Sequence, residues 1–201
     1  MNRRQPHDTV PAPASGRATT LSRRALIAGG LLLPSRSMAD LFDDYHNSVS
    51  KRLYVSFLAR NSEGSLSKPG HSFVAVGTEL DNGLRVYEKI FGYYVKNDNF
   101  FEEIKAVFSS TIGDITYKLS DVSWSVELYV PTDEAGHMAV IGVMNEWSKN
   151  DPKYQLFANG GKNCSVFAAE VARALGLKVP QGAGSKFPVR FISELRDMNG
   201  G

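Results

Sequence analysis

Apolar and polar residues alternate in several stretches after residue 50, and this pattern predicts a β-sheet. Over residues 52–60, Leu53, Val55 and Phe57 fall on one face of an extended chain. Residues 71–79 (HSFVAVGTE) are apolar and β-branched enough for a central strand. Further strands are predicted over residues 84–91, 115–119 and 124–130.

Other stretches follow the 3.6-residue spacing of amphipathic helices. A short helix is predicted after Asn99, and longer ones over residues 133–149, 164–175 and 189–198. Strands and helices together predict the α+β class. We expect an antiparallel sheet of about four to five strands with helices packed on it, forming a single domain over residues 52–201.

The first 39 residues have the pattern of an export signal. Arg23-Arg24 precedes an apolar run over residues 25–33, and Ser37-Met38-Ala39 offers small residues where a signal peptidase reads. The paired arginines favour the twin-arginine route. The apolar run is too short to span a bilayer, which takes about 20 residues. We predict a signal peptide over residues 1–39, a lead-in segment over 40–51, and an exported domain that is periplasmic or secreted.

The net charge argues against a nucleic-acid partner. The chain has 23 basic and 21 acidic residues, but six of the arginines and one aspartate lie in the predicted signal. The remaining residues have 17 basic and 20 acidic side chains, a net charge of −3. No basic face is left that would favour DNA or RNA.

Cys164 is the only cysteine, and it stands at the predicted start of a helix. The helix dipole and the unpaired backbone N–H groups favour a thiolate there, and Lys162 adds a positive charge nearby. Cysteines usually pair in an oxidising compartment, so a single one is either buried and inert or kept for its reactivity. Its place on one apolar stripe with Phe167, Val171 and Leu175 fits the inert alternative equally well.

A cysteine nucleophile needs a base within hydrogen-bond reach. His7, His46, His71 and His137 all precede Cys164, which excludes a hydrolase in which the cysteine comes first. His71 opens a predicted strand, so its ring can stand at the sheet edge, where a helix N-terminus could dock. His137 falls off the apolar stripe of its helix, which predicts a solvated surface residue.

The predicted hairpin limits which residue could orient the His71 imidazole. Asn82-Gly83 is a strong signal for a two-residue turn, and that turn places His71 opposite Tyr94. Glu88 would then lie about 20 Å from His71, at 3.4 Å per residue. Tyr94, rather than Tyr93 or Glu88, is therefore predicted as the third catalytic residue.

The sequence predicts no metal site and no other cofactor. One cysteine and scattered histidines give no ligand spacing, and Gly160-Gly161 is not accompanied by a phosphate-binding or dinucleotide fingerprint. The Asn163 side chain and the Cys164 backbone N–H could instead support an oxyanion hole.

Two short motifs, residues 70–74 (GHSFV) at a strand start and residues 163–167 (NCSVF) at a helix start, occur in an informative order. They resemble the circularly permuted branch of the NlpC-like papain fold, which includes lecithin:retinol acyltransferase-like proteins and bacterial cysteine hydrolase domains. The resemblance covers residues 52–197 and implies a thiol-dependent amidase, peptidase or acyltransferase, with Cys164 as nucleophile and His71 as base. Many relatives have a histidine or another strongly polar residue on the next strand, where this chain has tyrosines.

Three functions follow from these observations. The first is an exported thiol hydrolase that cleaves an amide or peptide bond in a peptidoglycan-type substrate through an acyl-enzyme. The second keeps the Cys–His pair but acts on the acyl chain of a lipid. The third is an exported binding domain in which Cys164 is inert.

Overall fold

The computed structural model describes residues 51–61, 70–97, 100–117, 123–149, 153–156 and 162–201. All of them belong to one compact unit, Asn47–Gly201. The predicted signal peptide, the lead-in segment up to residue 50, His7, His46 and Gly160-Gly161 lie outside the described residues.

The described residues form one six-stranded antiparallel sheet. Its order is β5-β1-β2-β3-β4-β6, so β2 is an interior strand. The predicted α+β class and antiparallel sheet are confirmed, but the strand count was too low. A strand of two residues, β6, is too short for alternation to reveal. The strands are β1 Lys51–Arg60, β2 His71–Leu80, β3 Arg85–Val95, β4 Thr111–Thr116, β5 Val126–Pro131 and β6 Lys153–Tyr154.

Four α-helices lie within the described ranges, and local signals set where they begin. Asp133 caps α2 by accepting the Gly136 N–H at 2.8 Å, and proline is the first residue of α4. No candidate for a bilayer-spanning helix is found in the part of the chain that the structure describes. The helices are α1 Phe100–Phe108, α2 Glu134–Trp147, α3 Cys164–Ala174 and α4 Pro188–Met198, with a 3₁₀ turn at Ala183–Ser185.

Strand β2 is buried on both faces along most of its length, which explains the continuous apolar run over residues 73–77 (FVAVG). One face, the helical face, packs against α2, α3 and α4, and its core includes Val74. There the Phe167 ring of α3 meets Phe91 and Trp147 edge-on, with ring centroids 6.1 and 5.3 Å apart. The opposite face has a smaller cluster built on Leu58, Phe73 and Ala75.

The connection between β2 and β3 differs from the predicted two-residue turn. The Leu80 carbonyl accepts the Gly83 N–H, and the Leu80 N–H donates to the Leu84 carbonyl, both at 2.9 Å. The connection therefore has three residues, 81–83. Gly83 has a φ of 79°, the left-handed conformation that such a turn needs at its last position.

A β-bulge on β3 then restores the predicted pairing further along the hairpin. Val76 pairs with Lys89 but Gly77 pairs with Tyr87, so Glu88 is the extra residue. The predicted alignment near the turn is wrong by one residue. Beyond the bulge, from Val76–Lys89 to Phe73–Gly92, the alignment is the predicted one.

Burial raises the pKa of Tyr54, Tyr87 and Tyr93 far above the ordinary value of 10.0, and the Asp114 charge adds to the effect at Tyr93. A raised folded-state pKa means that these neutral tyrosines stabilise the fold below about pH 10 and that this stability is lost as the pH rises further. We expect the free energy of unfolding, measured in urea, to fall above about pH 10.

The fall should be smaller in Tyr93→Phe than in the unchanged protein. Tyr117→Phe is the matched control, because the Tyr117 side chain is exposed. Absorbance of tyrosinate at alkaline pH reports the ionisation directly. Equal pH dependence in all three proteins would contradict the assignment of the buried tyrosines.

Candidate functional site

His71 is the first residue of β2 and is 4% exposed. The sequence predicted that the His71 ring can stand at the sheet edge. Because β2 lies between β1 and β3, the imidazole instead stands at the end of an interior strand. Its cross-strand neighbour on β1 is Arg60. Strand alternation places the ring on the face opposite the helices, where it stacks loosely on Phe73 with centroids 6.2 Å apart.

Tyr94 is the closest aromatic neighbour described for the imidazole. The two ring centroids are 4.0 Å apart and the planes are inclined by 24°, a stacked arrangement. The prediction that Tyr94 lies beside His71 is confirmed, and its catalytic role stays a prediction. Glu88, in contrast, accepts a hydrogen bond from the Thr78 hydroxyl at 2.5 Å, on another part of the hairpin.

Gly92 provides the space that the imidazole occupies. A Cβ atom placed on Gly92 would lie 2.4 Å from Nε2 of His71 and 3.0 Å from Cε2 of Tyr94. Heavy atoms do not approach so closely without moving, so a side chain here would displace the imidazole. The sequence offered a signal, a glycine inside a predicted strand, which often marks a close approach.

Cys164 is the first residue of α3, is not in a disulfide and is 3% exposed. The sequence pattern placed it at a helix start, and the structure confirms this position. The thiol thus lies at the positive end of the helix dipole. A nucleophile and an inert apolar residue can each occupy such a position.

Asn163 is the N-cap of α3, and its side chain is fully engaged. Its Oδ1 accepts the Val166 N–H at 3.0 Å, and its Nδ2 donates to the carbonyls of Leu156 and Gly184, both at 2.8 Å. These bonds fix the start of the helix to two separate loops, so the side chain supports the position of Cys164. An oxyanion contact from the same amide would require one of these bonds to be exchanged.

The residue before Asn163 is also held in place. Lys162 forms a parallel bridge with Tyr154 of β6, and its carbonyl accepts the Gln155 N–H at 2.9 Å. Its ammonium group lies 4.7 Å from the centre of the Trp147 ring. The positive charge that the sequence placed near Cys164 is therefore directed to an aromatic face, a favourable cation–π contact.

One contact joins the two predicted motifs. The hydroxyl oxygens of Ser72 and Ser165 are 3.5 Å apart, and both side chains are almost completely buried. Ser72 follows His71, and Ser165 follows Cys164. The structure thus brings the start of β2 and the start of α3 together on the helical face, while the imidazole points to the opposite face, over Gly92.

The remaining sequence candidates lie elsewhere. His137 is in the first turns of α2 and is half-buried, with its Nδ1 shielded from solvent, so the prediction of a solvated residue was wrong. Within the described ranges, no three histidine, cysteine or acidic side chains come close enough to hold a metal ion.

Sequence reasoning missed the elements that surround Asn163. These are β6 and the turn at Ala183–Ser185, both too short to show a periodic pattern. Comparison of the chain with known protein families, with curated proteins and with solved structures gives no match. The assignment of the site therefore depends on the two motifs and on the contacts of the described residues.

Proposed function

We propose that the protein is an exported thiol-dependent hydrolase with a permuted papain-like fold, and that it cleaves an amide or peptide bond in cell-wall peptide. Cys164 is the nucleophile and His71 is the base. The observation that carries the proposal is the contact between Ser72 and Ser165, which joins the neighbours of these two residues. A helix that begins with the cysteine and packs on the histidine strand supports the same arrangement.

The chemistry follows the general scheme of thiol hydrolases. The imidazole of His71, which lies on the face opposite α3 in the structure, first turns around the end of β2 toward the thiol. It then takes the thiol proton, and Sγ of Cys164 attacks the carbonyl carbon. The tetrahedral intermediate collapses, the imidazolium gives its proton to the departing amine, and an acyl-enzyme thioester remains. Water, deprotonated by the imidazole, hydrolyses the thioester and releases the thiol. Asn163 holds the helix start so that the backbone N–H of Cys164 can face the oxyanion.

The predicted compartment and charge support the choice of substrate. An exported protein in a bacterial envelope meets peptide cross-links outside the cytoplasm, and the predicted mature chain has a net charge of −3, which gives no attraction to nucleic acid.

A second candidate function is an exported binding domain without catalysis. The burial of both groups favours it, since Cys164 is 3% and His71 is 4% exposed. A substrate carbonyl must reach Sγ, so the hydrolase requires the residues over the thiol to move aside on binding. The binding domain requires no such movement.

Hydrolysis of peptide-cross-linked wall fragments tests the proposal. We expect the purified protein to release new amino groups from the fragments, and we expect complete alkylation with iodoacetamide to stop the release. Because Cys164 is the only cysteine, alkylation modifies a single thiol. Release that persists after complete alkylation, or no release from any amide-containing fragment, would contradict a thiol hydrolase acting on this substrate class.

A further inference from the structure

We propose that Gly92 and Tyr94 form a seat for the His71 imidazole, and that Tyr94 acts through the face of its ring and not through its hydroxyl. Gly92 and Tyr94 are positioning residues in this account. The inference rests on the proposed function, because it assigns them to the orientation and charge of the base.

The first half of the seat is the absent side chain at Gly92. The residue is in the interior of the sheet, paired with Phe73 on β2 and with Thr116 on β4, so its backbone is held from both sides. A Cβ atom built on Gly92 would lie only 2.4 Å from Nε2 of His71. Because the backbone cannot easily retreat, a methyl group at this position would have to move the imidazole.

The second half of the seat is the Tyr94 ring. Its centroid lies 4.0 Å from that of the imidazole, and the planes differ by 24°, so the two rings meet by their faces. A hydrogen bond from a phenol holds one ring nitrogen, whereas a stacked ring fixes the plane of the imidazole and leaves its edge nitrogens to other groups. The stack therefore holds the imidazole plane in the position that the structure shows, from which the proposed reaction starts.

The stack also has an electrostatic consequence. The face of an aromatic ring carries negative charge density and attracts a cation, more strongly where water is excluded. Tyr94 is 6% exposed. It therefore favours the imidazolium form of His71 in this stacked position. Among the described residues, Arg60 is the charged cross-strand neighbour of His71 on β1. Its positive charge opposes the formation of the imidazolium.

Three variants of the full chain test the seat: Tyr94→Phe, Tyr94→Leu and Gly92→Ala. The readout is the midpoint of the His71 imidazole titration, followed by NMR of the ring nitrogens. Phenylalanine keeps the ring face and should leave the midpoint within about 0.2 pH units. Leucine removes the face and should lower the midpoint by about 0.5 to 1 pH unit. Gly92→Ala should change the His71 ring resonances even at a pH where the ring is neutral.

Two outcomes overturn the inference. If Tyr94→Phe shifts the midpoint as far as Tyr94→Leu does, the hydroxyl is what matters. If neither variant shifts it, the stack has no electrostatic effect on His71. Should Gly92→Ala fail to fold, which far-ultraviolet circular dichroism would show, the comparison of the two Tyr94 variants still decides.

The readout separates this inference from the proposed function. The His71 titration is measured without reference to the thiol. If Tyr94→Leu shifts the His71 midpoint but His71→Ala leaves the reactivity of the thiol unchanged, the seat is supported and the hydrolase is contradicted. If Tyr94→Leu leaves the midpoint unchanged but His71→Ala lowers the reactivity of the thiol, the hydrolase is supported and the seat is contradicted.

Discussion

Cys164→Ser is expected to lower the rate of peptide hydrolysis by at least about a thousandfold. A serine hydroxyl keeps nearly the size and the position of the thiol, but it ionises far less readily and is a much weaker nucleophile beside a single imidazole. The fold should tolerate the change, with a loss in the free energy of unfolding of no more than about 2 kcal/mol for a newly buried hydroxyl.

Release of amino groups and urea unfolding, measured on the same preparation, check both parts of this prediction. Cys164→Ala is the matched control, because it also removes the thiol but introduces no polar group. Both variants should be inactive and folded. A serine variant that keeps more than about a tenth of the rate would contradict a nucleophilic role for the thiol.

Substitution of Asn163 should have the largest effect on stability. Asn163→Ala removes the cap of α3 and leaves the carbonyls of Leu156 and Gly184 without their side-chain donor. The loss of the cap and of two buried hydrogen bonds predicts a decrease of about 2 to 4 kcal/mol in the free energy of unfolding.

Asn163→Asp separates the cap from the two donor bonds. A carboxylate can still accept the Val166 N–H, but its other oxygen faces two carbonyl oxygens and has no hydrogen to donate. At pH 7 the loss should be at least as large as for alanine, because a buried negative charge faces acceptors. At lower pH, protonation of the carboxyl restores one donor.

The sign of the pH dependence follows from linkage. The aspartyl group in Asn163→Asp is expected to have a folded-state pKa above its unfolded value of about 3.9. The aspartate variant should therefore gain stability relative to Asn163→Ala below about pH 3.9 and lose that gain as the pH rises. Urea unfolding at pH 4 and pH 7, with the unchanged protein as reference at each pH, measures it. An aspartate variant more stable than the alanine variant at pH 7 would contradict the bonding described for Asn163.

Local patterns predicted the elements that carry the site. Alternation identified β1, the apolar and β-branched composition of residues 71–79 identified β2, and the residues around Cys164 correctly indicated a helix start with an asparagine before it. The placement of Tyr94 beside His71 was predicted through a turn that was one residue too short, and the bulge at Glu88 compensated for the error. The longer turn could not be read from the sequence, because it leaves the hydrophobic pattern of the strands unchanged. The bulge brings Tyr87 and Ile90, three residues apart, to the same face, and one such break in a short strand is too weak a signal to locate it.

Contacts between distant segments were beyond the sequence pattern. The two carbonyls that Asn163 binds lie 7 and 21 residues away, and Ser72 and Ser165 are 93 residues apart. A hint was present, since each serine interrupts an otherwise apolar stretch. Buried hydroxyl groups need partners, but only the packing of α3 on β2 shows which one each serine finds.

The pairing of Cys164 with His71 is tested most directly by the rate of iodoacetamide alkylation as a function of pH. The proteins are the unchanged chain, His71→Ala and, as matched control, His137→Ala. We expect a midpoint well below the value of about 8.5 for a free thiol, a return toward that value in His71→Ala, and no change in His137→Ala. At about pH 6.5 the rate in His71→Ala should be lower on the order of tenfold or more. Alkylation that is slow at every pH until the protein unfolds, or one midpoint shared by all three proteins, would contradict the pairing and favour the binding domain.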